Sequence, residues 1–472
     1  MAFSPSGALV TEPEDKRVVL VVSLLSAFLL PVSATSLNVA LPQMGSDLGA
    51  DSVSLGWIVT AFMLSAAMFL VPIGRIADMH GRRRIFKIGA WIFAITSLLI
   101  VVASAPWVVI ALRALQGFGG AMIFGNGTAL LASVYPAHER GRVLGINVGT
   151  VYLGQSVGPF VGGFLTGHFG WRSIFVVITL LGIATAVITT WKLKSETAAD
   201  RAEQFDMAGS ILYGMMMITL MYGLSIVPAP LGFACLAAGL VCMIAFIRRQ
   251  NAIAHPILQV SLFRGNTVFA LSNLAALLNY GATFAVGFIL SLYLQLVKGL
   301  SPQDTGLILL CQPVVMALSS PLAGKLSDRI EPRLMASAGM ALTCLGLLVL
   351  ATLDADSGLW LVVLTLLVHG LGFGLFSSPN TNAVMGAVDK KLYGVASGIM
   401  STMRVVGQML SMCICMLIMT HFIGHVELKS EHAALLIQTS QVTFLVFALL
   451  CFGGIVASLA RGKVQGLAQD RG

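Results

Sequence analysis

The sequence predicts an all-α polytopic membrane protein of fourteen transmembrane helices: two six-helix bundles with two linker helices inserted between them. Three observations predict it. Only 10% of the 472 residues are charged while 57% are hydrophobic, against roughly 25% charged in a soluble domain. Apolar runs long enough to cross a hydrocarbon core of about 30 Å recur along the whole chain. A set of glycine motifs in the first half returns in the second half, in the same order.

The runs must be helices, because a lipid-exposed backbone has to satisfy its own hydrogen bonds. In order they cover Val18–Leu41, Leu55–Ile73, Ile88–Ala105, Val108–Ser133, Val143–Leu165, Ile174–Trp191, Met207–Val227, Leu231–Ile247, Val268–Leu294, Thr305–Ala323, Leu334–Leu353, Leu359–Met385, Val395–Thr420 and Val442–Leu459. The first run, about 24 residues long, exceeds the apolar core of a signal peptide and is read as a retained span. Residues 1–17 form a polar tail, 18–192 a first bundle, 193–266 a linker carrying spans 7 and 8, 267–460 a second bundle and 461–472 a second tail. Pro228-Ala-Pro230 is the turn signal between spans 7 and 8.

With the N-terminus inside, 23 of the 28 Lys and Arg residues fall in cytoplasmic loops or tails. Three lie outside (Arg172, Lys298, Lys429) and two within spans (Arg113, Arg404). That asymmetry predicts a multi-pass protein of the cell membrane with both termini cytoplasmic. It also accounts for the net charge of +8 without a nucleic-acid partner, since the basic residues occupy short loops and no single face. The seven cysteines lie in apolar runs, so neither a metal site nor a disulfide is expected, and Cys413-x-Cys415 reads as lipid-facing or as core packing. No cofactor is expected from the sequence.

The repeat is explicit. Gly145-Ile146 and Gly154-Gln155 recur as Gly398-Ile399 and Gly407-Gln408, and Gly117-x-Gly119 as Gly370-x-Gly372, all at an offset of 253. Gly74-x-x-x-Asp78 recurs as Gly324-x-x-x-Asp328 at an offset of 250. Parallel repeats about a central path are the architecture of a rocking transporter.

Three stretches carry chemistry. In Gly74–Arg84, Asp78 is a lone carboxylate among Arg75, Arg82, Arg83 and Arg84, placed either to pair with arginines or to sit in a solvated loop rich in positive charge. In span 4, Arg113 belongs to Arg113-Ala-Leu-Gln116-Gly117; a buried arginine faces an interior cavity or partner, unless it snorkels to the interface. In span 5, Gly154, Gly158 and Gly162 recur every four residues and form one smooth stripe for close helix contact. Pro159 removes a backbone donor there and favours a bend.

These stretches resemble known motifs of the major facilitator superfamily. Gly74 to Arg84 resembles G-x-x-x-D-R-x-G-R-R, with Met79 where the family usually has Arg. The resemblance implies that Gly74, Asp78, Gly81, Arg82 and Arg83 form a cytoplasmic latch between the halves in the outward-facing state, echoed by Asp328 and Arg329. The Arg113 stretch resembles R-x-x-Q-G, which implies a part in proton transfer. Gly154, Gly158, Pro159, Gly162 and Gly163 resemble the G-x(3)-G-P-x(2)-G-G part of the signature of the superfamily's antiporters, with Gly149 read as the glycine ahead of them, which implies export. With Asn38-Val-Ala-Leu-Pro42, Gly170-Trp171-Arg172 and Tyr293-Leu-Gln295, nearly the whole chain resembles the fourteen-span drug:proton antiporter family.

The sequence departs from that family at Ser33, where span 1 often carries an acid. Every Asp and Glu is read into a loop, a tail or a helix edge, whereas proton pumps generally need an ionisable group inside the path. Coupling through Asp78 and Arg113, titration of His369 with its near-neutral imidazole, and uncoupled facilitation all stay open. His369 aligns in the repeat with Gln116, which favours a polar packing role. The missing acids favour neutral, amphipathic or weakly anionic substrates. Candidate cavity groups are Asn38, Gln116, Asn126, Tyr152, Gln155, Asn279, Tyr280, Gln312, Asn380, Arg404 and Gln408. The leading expectation is a monomeric secondary exporter of small organic compounds, with protons and the lipid bilayer as its other partners. A uniporter or importer of a metabolite comes next, and a membrane sensor or scaffold after it. No nucleotide loop or catalytic cluster points to an enzyme.

Overall fold

The computed structural model describes residues 13–135, 137–193, 205–253, 256–327, 329–389, 392–424 and 426–462. The first six spans are α1 (Pro13–Leu48), α2 (Ser52–His80), α3 (Arg82–Val101), α4 (Pro106–Val134), α5 (Ala137–Phe169) and α6 (Arg172–Lys192). The inserted pair is α7 (Met207–Ile226) and α8 (Pro230–Ala252). The second set comprises α9 (Thr267–Thr283), α10 (Val286–Leu292), α11 (Pro302–Ser327), α12 (Pro332–Leu350), α13 (Leu359–Gly386), α14 (Tyr393–Phe422) and α15 (Ala433–Ala460). Among the described residues thirteen segments are long and apolar enough to cross a membrane; α5, 33 residues long, stands where the sequence places span 5.

Helix starts follow local chemistry. Asp51, Asp206 and Asn266 accept from backbone N–H groups of the first turns of α2, α7 and α9, as side-chain oxygens at an N-cap do. Helices α4, α8 and α12 begin on proline, whose missing N–H costs nothing there. Gly81, at φ +94°, is the single hinge residue between α2 and α3. Such a backbone favours glycine, so Gly74–Arg84 is two helix ends joined at one glycine and not an extended loop.

Span 1 runs seven residues past its expected end, through Pro42 to Leu48. Span 9 is broken. Helix α9 stops at Thr283, α10 restarts at Val286, and a single π turn covers Tyr293–Val297. Ser411 Oγ of α14 accepts from Ala285 N at 3.0 Å, satisfying a backbone donor at the break. Cys413 and Cys415 are buried, so this pair is core packing, and all seven cysteines are free.

Helices α1–α6 pack into one bundle and α9–α15 into the other, with α2 against α14, α5 against α11 and α1 against α10 where they meet. The α7–α8 hairpin lies outside them, with α7 touching α2 and α14. Tyr213 Oη donates to Ala67 O of α2 at 3.3 Å, and Cys413 Sγ of α14 lies 3.0 Å from Met221 Sδ. At its other end the hairpin is clasped by Asp206, which accepts from Arg249 Nε at 2.8 Å and Gln250 Nε2 at 2.7 Å. Burial works to raise the Asp206 pKa, but the Gly209 amide, Arg249 and Gln250 outweigh it and hold the carboxyl below its usual range.

Arg461 departs from the expected tail. It is 1% exposed and donates through Nη1 to Asn380 Oδ1 at 2.8 Å and to Ser272 Oγ at 3.1 Å. A guanidinium at the end of α15 therefore ties that helix to α13 and α9.

Candidate functional site

Two ends of the molecule are distinguished by charge: the basic end, which carries Gly74–Arg84, and the opposite end, where α1 stops and α2 begins. The bundles close on each other at the opposite end. Ser52 N donates to Val426 O at 3.0 Å and Ser52 Oγ to Gly424 O at 2.5 Å. Asp51 and Glu427 form an antiparallel bridge. One turn into α2, Gly56 sits against Met416, so close that a Cβ there would lie 2.6 Å from its Cγ, and Thr60 Oγ1 lies 3.3 Å from Met416 Sδ. Gln295 Nε2, from the π turn, donates to Val39 O at 3.0 Å.

The span 5 motif supplies the second seam through two different faces of one helix. Gly154, Gly158 and Gly162 press on α1 at Phe28, Thr35 and Ser36, within the first bundle; a Cβ at Gly154 would lie 2.6 Å from Phe28 O. Pro159 and Gly163, offset by one position, press on α11 at Gly306 and Pro302, across the bundles. A Cβ at Gly306 would run into Pro159 O, and one at Gly163 into Pro302 O. Toward the basic end, side chains added at Gly74, Gly149 or Gly398 would meet nothing within 4 Å. These close contacts between the bundles lie toward the end opposite the basic one.

Arg113 is enclosed in the first bundle, at 0% exposure. Its Nε donates to Ile58 O at 3.1 Å, and Nη1 to Gln116 Oε1 at 2.5 Å and Ser33 Oγ at 3.4 Å. Gln116 passes the chain on to Ser97 Oγ at 2.6 Å. The Phe62 ring lies over the guanidinium at 4.4 Å, and Nη2 has no hydrogen-bond partner. Interior placement, not snorkelling, is what the structure shows. Among the described helices every Asp and Glu lies in the first or last turn, so no carboxylate compensates Arg113.

At the basic end Asp78 pairs with Arg82 at 2.6 Å, one turn on, and both are well exposed. Gly81 and Arg83 are buried and Arg329 is exposed, whereas Asp328 lies outside the described residues.

Halfway along the spans, side chains from both bundles converge. Tyr152 Oη of α5 and Ser377 Oγ of α13 are 2.6 Å apart. The Arg404 guanidinium of α14 lies 4.8 Å over the Phe124 ring of α4. Tyr280 of α9 stands edge-on to Phe373 at 5.3 Å, with Tyr152, Arg404 and Ser377 about its hydroxyl. Gln155, Gln312 and Gln408 are partly exposed. Other candidates are engaged in packing: Gln116 with Arg113 and Ser97, Asn126 with Met122 O of its own helix, and Asn380 with Ser272 and Arg461. Asn38 and Asn279 are buried, as is His369, and neither ring nitrogen of His369 has a partner. The residues missed from sequence are Phe124 and Phe373 at this convergence, and Arg461 at the basic end; single aromatics in apolar spans give no signal before the bundles are assembled.

Two repeated helical bundles, sealed at one end about a polar convergence at mid-depth, define a membrane transporter. The chain belongs to the Major Facilitator Superfamily, whose family model matches residues 23–270 and 272–467. Among relatives, it is 26% identical over 449 residues to the riboflavin transporter RibZ of Clostridioides difficile, covering 94% of this chain and 97% of that one. It is 31% identical to the multidrug resistance protein Stp of Mycobacterium tuberculosis, covering 81% and 72%. It is 28% identical to the tetracenomycin C resistance and export protein of Streptomyces glaucescens, covering 90% and 79%. The fold is also that of a bacterial homologue of the human lysosomal transporter Spinster, with a TM-score of 0.70 at 15% identity over 95% and 98% of the two chains.

Proposed function

We propose that this protein is a secondary active exporter of small, drug-like amphipathic compounds, working by alternating access as a proton antiporter. The observation that carries the reading is close contact between the bundles at the end opposite the basic one: Ser52 meets Val426 and Gly424, and Gly163 and Gly306 lock α5 to α11. With the basic end in the cytoplasm, as the Lys and Arg distribution favours, this is the inward-facing state. The span 5 motif and the names of two relatives, a multidrug resistance protein and a resistance and export protein, support the outward direction. In this reading Asp78, with Arg82 and Arg83, latches the halves when the basic end closes. Asp78 and His369 are the groups whose protonation follows the cycle, and Arg113 is the fixed charge they respond to.

One observation favours a second reading, uncoupled facilitation. Arg113 meets Ser33 where an acid would be expected, so the charge pair that a proton would break is missing.

Efflux of a panel of dyes and antibiotics from cells expressing the protein, with and without an uncoupler, separates the readings. Uncoupler-sensitive efflux is the expected result. Efflux that ignores the uncoupler would support facilitation, and net accumulation would sink the exporter.

A further inference from the structure

We propose that the mid-depth convergence is a binding site for a planar aromatic oxyanion, a carboxylate or a phenolate, with Arg404 as charge partner and the Tyr152 and Tyr280 hydroxyls as flanking donors. The proposal rests on the transporter reading and deepens it by naming the substrate class and the residues that select it.

The two span arginines are not equivalent. Arg113 is fully enclosed, and its hydrogen bonds go to Ile58, Gln116 and Ser33. Arg404 is partly exposed and reaches across the seam to the Phe124 ring. Among the described residues it has no carboxylate partner; Tyr280 is the hydroxyl beside it. A guanidinium carries five N–H donors in a planar fork, more than the Tyr280 hydroxyl beside it can accept. A charge held at membrane depth usually marks a substrate path or a paired group, and for Arg404 the pair is missing.

The surroundings define the rest of the ligand. Phe124 comes from the first bundle, Tyr280 and Phe373 from the second, and the latter two are already in edge contact. Phe373 is buried, while Phe124 and Tyr280 are partly exposed and give a flat molecule aromatic surface to pack on. Tyr152 and Ser377, hydroxyl to hydroxyl at 2.6 Å across the bundles, mark the same level. An oxyanion bound here would take charge-assisted hydrogen bonds from Arg404 and touch both bundles at once, as a substrate that drives their relative motion must. The field agrees: with Arg113 and Arg404 in the spans and every described helical carboxylate at a helix end, the interior is positive. A cationic drug would find no counter-charge there.

The test uses the full-length protein in lipid nanodiscs and two xanthene dyes of similar ring size, fluorescein as the oxyanion and pyronin Y as the cation. Fluorescence anisotropy should show tighter binding of fluorescein. Arg404→Gln should weaken fluorescein about tenfold or more and leave pyronin Y unchanged or improved. Arg404→Lys, which keeps the charge and loses the fork, should fall between. Tighter binding of pyronin Y to the wild-type protein, or equal fluorescein affinity in wild type and Arg404→Gln, would overturn the site. If Arg404→Gln does not elute as a single species, the Tyr152→Phe, Tyr280→Phe pair decides: several-fold loss of fluorescein affinity supports the site and no loss overturns it. Vesicles that export other compounds while fluorescein fails to bind would remove the site and keep the exporter. Arg404-dependent fluorescein binding without export of any compound would keep the site and remove the exporter.

Discussion

Arg113 and Ser33 face each other at the centre of the first bundle, Nη1 donating to Ser33 Oγ at 3.4 Å. A neutral hydroxyl therefore lies within reach of a fully buried positive charge, farther out than Gln116 Oε1 at 2.5 Å and Ile58 O at 3.1 Å. An acid at this position would form an ion pair whose strength follows its protonation state. Ser33→Asp is expected to introduce that pair and make transport more steeply pH-dependent. In proteoliposomes its initial rate should change about tenfold between a symmetric pH and an imposed gradient, with a smaller ratio in wild type. Equal ratios in both proteins would show that the Arg113 charge is not part of coupling.

The split roles of Gly162 and Gly163 predict two distinguishable failures. Gly162 presses on Ser36 within one bundle, so Gly162→Ala forces α5 off α1 and should lower thermal stability by roughly 1–3 kcal/mol, as overpacking does. Gly163 presses on Pro302 across the bundles, so Gly163→Ala should spare the fold and shift the population toward opening at the opposite end. Spin labels at exposed positions on either side of that seam would register the shift as a longer distance. Identical behaviour of the two variants would refute the division.

How much of this was legible in the sequence depends on where each contact's partner comes from. The stripe of Gly154, Gly158 and Gly162 is readable because its meaning lies in its own spacing, and α1 does fill the groove it leaves. The repeat is readable for the same reason. The break in span 9 is not, because the acceptor that stabilises it, Ser411, is 126 residues away. Arg461 looks like a solvated tail residue until Asn380 and Ser272, 81 and 189 residues earlier, are brought to it. The meeting of Arg404 with Phe124 belongs to the assembly of two bundles, and no local pattern encodes it.

Asp78 pairs with Arg82, and Gly74 faces open space. That exposed ion pair is worth little to stability, about 0–1 kcal/mol. Asp78→Asn should therefore leave expression and thermal stability within about 1 kcal/mol of wild type while transport falls to background, if the carboxylate acts as a latch when the basic end closes. Wild-type transport rates in this variant would reduce Gly74–Arg84 to a topology signal.

Asp206 gives the inserted hairpin a pH dependence whose sign is fixed by its partners. Its carboxyl is held below the usual range even though burial opposes this. A depressed acid contributes stability that is fully present above its unfolded pKa of about 4 and is lost as pH falls through the lower folded value. Thermal stability of the purified protein should accordingly be insensitive to Asp206 protonation at neutral pH and decline on acidification below that value. Asp206→Asn keeps an N-cap acceptor for Gly209 but gives up the ion pair with Arg249, whose Nε is 2.8 Å from Asp206 Oδ1. The variant should start about 1–2 kcal/mol less stable at neutral pH and show a flatter decline in acid. Parallel acid profiles for the two proteins would show that the clasp between α7 and α8 does not depend on this carboxylate's charge.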